Sequence, residues 1–188
     1  MTHALTADTS GRDLLKVAIG GLISGILTPL APLLIDPISG PSGTVRLSLV
    51  AVPFAVLVFV VVWRCSANPV WAALVAAIVS MIAFVCAVNA AVFIHGQATG
   101  ASEVMRDILA GLSGGLVGTA VMALGIAFLP AGPRKAAAWW PMMMTGAVCG
   151  ALLALDTPLE LERISVLYPV WQAAVAVRLA LVLRTRPV

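Results

Sequence analysis

Six stretches of this 188-residue chain are apolar almost without interruption, and short polar segments separate them. They cover residues 17–35, 47–63, 70–94, 108–130, 139–155 and 165–183. Crossing a bilayer core takes about 20 helical residues, within a range of about 17–25. All six stretches qualify, the second and fifth at the short limit. None alternates with the period of two that a barrel strand requires. The pattern predicts an all-α integral membrane protein with six transmembrane helices, a single membrane domain over 1–188. The aromatic residues fit these boundaries. Trp63 ends the second stretch, Trp71 begins the third, Trp139 and Trp140 begin the fifth, and Tyr168 and Trp171 stand near the start of the sixth. Amphipathic rings prefer the headgroup level, so these positions mark where helices meet water.

Composition agrees. Apolar residues make up 61% of the chain and charged residues 10%, against about 25% charge in a soluble domain that must stay wet. The expected partner is therefore the lipid bilayer. A net charge of +3 from scattered residues leaves no footprint for nucleic acid. Cys65, Cys86 and Cys149 are far apart and read as apolar packing. His3 and His95 lie outside the apolar stretches, so neither haem nor a metal is expected, and no cofactor. Asp8 and Asp13 stand where a cleaved signal would be basic, and the first stretch is read as a retained span.

Basic residues give the direction of insertion. With the amino terminus inside, the cytoplasmic segments hold Arg12, Lys16, Arg64, Arg134, Lys135, Arg184 and Arg186. The other side holds Arg46, Arg106 and Arg163, with Arg178 inside the last span. Lys and Arg are retained on the cytoplasmic side, which predicts both termini inside and a multi-pass protein of a bacterial-type inner membrane. The acids Asp36, Glu103, Asp107, Asp156, Glu160 and Glu162 fall on outer connections. One of these, 156–169, could also hold a short interfacial helix.

Parts of the chain resemble each other. "RDLLKVAIGGLISG" begins at Arg12 and "RDILAGLSGGLVGT" at Arg106, 94 positions later. "NPVWAALVA" opens the third stretch and "YPVWQAAVA" the sixth, at an offset of 100. Either the chain repeats one unit of three spans, over 12–94 and 106–184, or few apolar letters have aligned by composition. Three is odd, so a repeated unit would enter the bilayer from the opposite face. Such 3+3 inverted repeats build midplane sites in transporters.

Glycines four residues apart share one helical face and let backbones approach. Gly21 and Gly25, Gly111 and Gly115, Gly114 and Gly118, and Gly146 and Gly150 are such pairs, read as helix-packing faces. The sharper reading is that the first and fourth helices cross as a central pair. Candidates for a substrate pathway are the few polar or helix-breaking positions in the spans. Pro29 and Pro32 free carbonyls beside Thr28, which reads as a packed kink or as a broken helix near a path. Asn89 bonds a neighbouring helix or lines a pore. Thr119 completes the set with Arg178, which snorkels to the cytoplasmic face or attracts an anion. Met142, Met143 and Met144 are consecutive, so they point around a helix rather than converge on copper.

No Asp or Glu lies in the core of a span, and no nucleophile–base pair or metal cluster is present. The chain is not expected to be an enzyme. The reading favoured is a transport protein, channel or facilitator-like, moving an unspecified small solute between two inverted three-helix halves. It could dimerise through its glycine faces. The rival is a non-transporting subunit or anchor that uses those faces to bind a partner subunit. "NPVWAALVAAIV" is similar to a Pro-x-Trp-Ala segment of the fusaric-acid-resistance and aromatic-acid exporter membrane domains; over so short a stretch, no activity or site is carried across.

Overall fold

A computed structural model describes residues 2–33, 44–156 and 165–184 of the chain, with side chains over 11–33, 46–156 and 165–184. Helix α1 covers Thr2–Leu27 and tightens into a 3-10 turn at Thr28–Leu30. Then follow α2 (Thr44–Val50), α3 (Val52–Cys65), α4 (Val70–Gln97) and α5 (Glu103–Ala127). Helix α6 (Ala136–Gly150) continues as a 3-10 turn, Ala151–Leu155, and α7 covers Leu167–Arg184. No strand occurs among the described residues. Five segments are long and apolar enough to cross a membrane: Gly11–Leu33, Val70–Gln97, Glu103–Ala127, Ala136–Leu155 and Leu167–Arg184.

The second apolar stretch is the exception, because it forms two short helices that meet at Ala51. Pro53 is the second residue of α3. It has no N–H to donate to the carbonyl four residues earlier, and its ring crowds that carbonyl. The chain closes the joint with a tighter bond, Ala51 N–H to the Ser48 carbonyl at 3.1 Å. The first stretch departs the other way, since its helix begins well before the apolar run. The proposed interfacial helix depends on 157–164, which lie outside the described residues, as do Asp36, Glu160, Glu162, Arg163 and Arg186.

Polar side chains fix the two ends of the bundle. At one end Asn68 joins two connections, accepting from the Ala131 N–H at 2.9 Å and donating to the Ser66 hydroxyl at 2.9 Å. The Trp139 indole donates to the Pro133 carbonyl at 2.8 Å in the same region. At the other end Asp156 accepts from the Ser165 hydroxyl and from the Val166 N–H, holding the start of α7. Asn68 is buried. Asn68→Ala would strand the Ala131 N–H, which costs about 1–3 kcal/mol. The expected outcome is a Tm lower by a few degrees in detergent, measured by thermal unfolding.

Neighbour relations are simple. α1 lies against α7 and α3, while α5 lies against α4 and α6; α3 also meets α4 and α7, and α6 meets α7. The interior holds Val58, Met122, Ile126, Met142 and Leu179, all essentially without exposure. The outside carries large apolar side chains, among them Ile23, Leu74, Val92 and Phe128. An apolar exterior around a core rich in small residues suits lipid rather than water.

The tryptophans divide by face. Trp63, Trp71 and Trp140 are exposed near helix ends, as an interfacial belt requires. Trp139 is buried, and Trp171 packs inside against Phe54, ring centroids 5.6 Å apart.

Candidate functional site

The eight paired glycines are interior, and each meets another helix of the same chain. A Cβ at Gly111 would overlap the Gly150 carbonyl, and one at Gly115 the Gly146 carbonyl, so α5 and α6 meet backbone to backbone. On its other side α5 uses Gly114 and Gly118, where a Cβ would lie 2.9 Å from the Ala87 carbonyl oxygen and 3.0 Å from the Ala87 Cβ of α4. Gly21 and Gly25 of α1 lie on the backbone of α7 at Ala173 and Pro169. The faces are close-packing faces, as their spacing predicts. Their partners differ from the central pair expected from the sequence: α1 takes α7, and α5 takes α6 and α4. All eight of these glycines meet another helix of the same chain.

Between α1 and α7 runs a buried polar chain. The Gln172 side-chain amide donates to the Thr28 hydroxyl at 2.8 Å and its carbonyl accepts from the Ser24 hydroxyl at 2.6 Å. Thr28 in turn donates to the Ser24 carbonyl at 2.9 Å. Gln172 is 1% exposed and Thr28 0%. In hydrocarbon an amide must find such partners, and the close approach at Gly21 and Gly25 brings them within reach. Gln172 was not among the candidates read from the sequence. Its neighbours Tyr168 and Trp171 mark it as interfacial, yet it repeats at helical spacing with Val175, Ala176 and Leu179, all buried. That periodicity was the available signal.

The pathway candidates are not brought together. Thr28 belongs to the α1–α7 contact. Pro29 and Pro32 are half-buried at the turn that ends α1. Thr119 is buried at the α5–α6 contact, donating to the Gly115 carbonyl at 2.7 Å, with its methyl where a Gly146 Cβ would stand. Asn89 is on an exposed face and donates to the Val85 carbonyl of its own helix at 2.7 Å. Arg178 is exposed and donates to the Thr145 hydroxyl of α6 at 3.2 Å.

The structure instead has a half-open cavity of about 220 Å³ among α4, α5, α6 and α7, lined by none of those six residues. Trp171 lines it, its indole donating to the Gly146 carbonyl at 3.0 Å. Bare backbone at Gly111, Gly114 and Gly115 forms one wall. Phe84 and Tyr168, ring centroids 6.2 Å apart, also line it. No charged side chain borders it.

The chain matches no family model, no curated protein and no solved structure. The site must be read from its own geometry. Among the described residues no three His, Cys, Asp or Glu side chains gather as a metal would require.

Each of the two Arg-Asp pairs found in the sequence places its aspartate against a basic residue near the far end of a neighbouring helix. Asp13 of α1 lies 3.5 Å from Arg184 of α7 and 3.8 Å from Lys16. Asp107 of α5 lies 3.3 Å from His95 of α4. The glycine contacts follow the same exchange of neighbours one residue out of that register, since Gly21 and Gly25 correspond to Gly114 and Gly118 rather than to Gly115 and Thr119. The two Pro-Val-Trp segments are not equivalent, because Trp71 is 58% exposed and Trp171 turns inward.

Proposed function

We propose that this protein is a small membrane transporter or channel of two opposed three-helix halves, α1–α4 and α5–α7, with α2 and α3 acting together as one bent span. One observation carries the reading. Exchanging the halves maps α1 on α7 to α5 on α4 and α1 on α3 to α5 on α6, and in each half an aspartate, Asp13 or Asp107, meets a basic side chain of that neighbour, Arg184 or His95, though at non-matching positions along it. Thr44 to Cys65 is 22 residues, at most about 33 Å along the chain at 1.5 Å per residue, and the bend at Ala51 shortens its reach towards the thickness of a core of about 30 Å. A sixth crossing is therefore possible only for α2 and α3 taken together. Both termini then face the cytoplasm of an inner membrane, with the Gly96–Ser102 connection outside, in keeping with the distribution of Lys and Arg.

The cavity gives the opposed halves somewhere to hold a solute. The anchoring alternative loses its main support, since the paired glycines it would use meet helices of the same chain. Two experiments test the proposal. Reporter tags after Val188 and between Gly96 and Ser102 should report opposite compartments; the same compartment for both would rule out two opposed halves. Purified protein in proteoliposomes should then speed the passage of at least one uncharged solute over protein-free vesicles. Folded protein that moves nothing across a broad panel of ions and neutral solutes would end the transport reading.

A further inference from the structure

We infer that the cavity beneath Tyr168 is a binding site for a small, uncharged, compact solute with an apolar body and a single hydroxyl. The inference deepens the transport reading, on which its physiological sense rests, by naming the class of solute.

The volume comes first. A dry apolar cavity of about 150 Å³ binds benzene in a soluble protein, so about 220 Å³ admits one ring molecule with a substituent. A long or branched solute would not fit. The walls come second. Trp171, Phe84 and Leu153 supply carbon surface, and glycines on α5 supply flat backbone. Water in such a space would lack the two to four polar partners it needs, so a molecule that fills it with carbon is favoured.

Charge is the third consideration. With no ionised side chain at the lining, an anion or cation would lose its hydration uncompensated, which excludes charged solutes.

Two polar side chains line the cavity, and Gln172 has its amide committed to Thr28 and Ser24, which leaves the Tyr168 hydroxyl as the free handle. Tyr168 is the second residue of α7, near the Asp156–Ser165 end of the bundle, whereas Trp171 lies a turn deeper beside the middle of α5 and α6. Among the described residues nothing hydrogen-bonds the Tyr168 hydroxyl, and it is not sealed from its surroundings. A solute whose ring enters towards Trp171 would leave its own hydroxyl at the level of Tyr168. Aromatic rings that present an apolar body and a polar tip suit such a gradient.

The test uses the full chain in lipid nanodiscs with 4-fluorophenol and fluorobenzene as probes, followed by fluorine NMR against empty nanodiscs. Saturable binding of one 4-fluorophenol per protein is expected, with a change in Trp171 fluorescence. Ala91→Phe and Leu153→Phe fill the cavity from opposite walls and should each abolish saturable binding. Tyr168→Phe should weaken 4-fluorophenol by about 3- to 10-fold, the worth of one hydrogen bond, and leave fluorobenzene unchanged.

Wild-type signals equal to those of empty nanodiscs would overturn the inference, including the case in which a lipid chain occupies the space. So would folded filling variants that bind like wild type. If neither filling variant folds, an equal loss of both probes in Tyr168→Phe would overturn it. Binding without flux in proteoliposomes would remove the transport reading and keep the site; flux of other solutes without binding would do the reverse.

Discussion

Gly115→Ala is expected to destabilise the folded protein by about 2–3 kcal/mol, within the range for overpacking a close contact, and to lower its Tm by about 5–10 °C. Two terms oppose each other. Alanine improves helix propensity over glycine by about 0.8–1.0 kcal/mol. Against that, the new methyl would overlap the Gly146 carbonyl, and the same approach recurs one turn away between Gly111 and Gly150. Backbone cannot rotate aside as a side chain can, so the whole α5–α6 contact must open. The opening would also shift the carbonyl that holds the Trp171 indole. Gly96→Ala is the control, because nothing lies within 4 Å of a Cβ there. Equilibrium denaturation in mixed micelles compares the two. Equal stabilities would mean that α5 and α6 do not touch as described.

How much of this could be read from the sequence depends on which property is asked of each residue. The extent of the long helices was legible. The stretch 70–94 became Val70–Gln97, and 139–155 became Ala136–Leu155, because uninterrupted apolar length is a strong and local signal. Rotation about each helix axis was less so. Trp171 was placed at the correct helix end but turned inward, since an interfacial ring and a buried one occupy the same point in a sequence. Gln172 followed it inward, and only the buried positions at Val175, Ala176 and Leu179 disclose the turn.

Partners were the least legible property. Glycine spacing identifies a face that something must approach, and all eight glycines kept that role. It does not say which helix approaches, and α1 took α7 rather than α5. The joint at Ala51 was likewise written in the chain as Pro53, but an apolar run through "LVAVPFAVLVF" hides a break that hydropathy cannot register. The cavity had no sequence signal at all. It is the space left where glycines on α5 meet large rings on α4 and α7, so it depends on three helices being in register.

The α1–α7 contact gives the second large effect, because there close packing and polar bonding share one cause. Gly25→Val is expected to cost about 3 kcal/mol, the upper part of the overpacking range, since its side chain would meet the backbone of Tyr168 and Pro169. Gln172→Leu alone should cost less, about 1–2 kcal/mol, in line with hydrogen bonds measured between membrane helices. The smaller cost follows from what is left behind. Ser24 can still donate to the Gly21 carbonyl at 3.1 Å, and Thr28 keeps the Ser24 carbonyl, so neither hydroxyl is stranded. The double variant is the decisive one. If separation of the helices at Gly25 already pulls Ser24 and Thr28 away from Gln172, the leucine removes nothing further, and the pair should cost little more than Gly25→Val alone. Residues in contact commonly show coupling of about 0.5–3 kcal/mol, and most of the glutamine's contribution should appear as coupling here. Costs that simply add would show that Gln172 finds its partners without the approach at Gly25, and the account of why glycine stands at that position would fail.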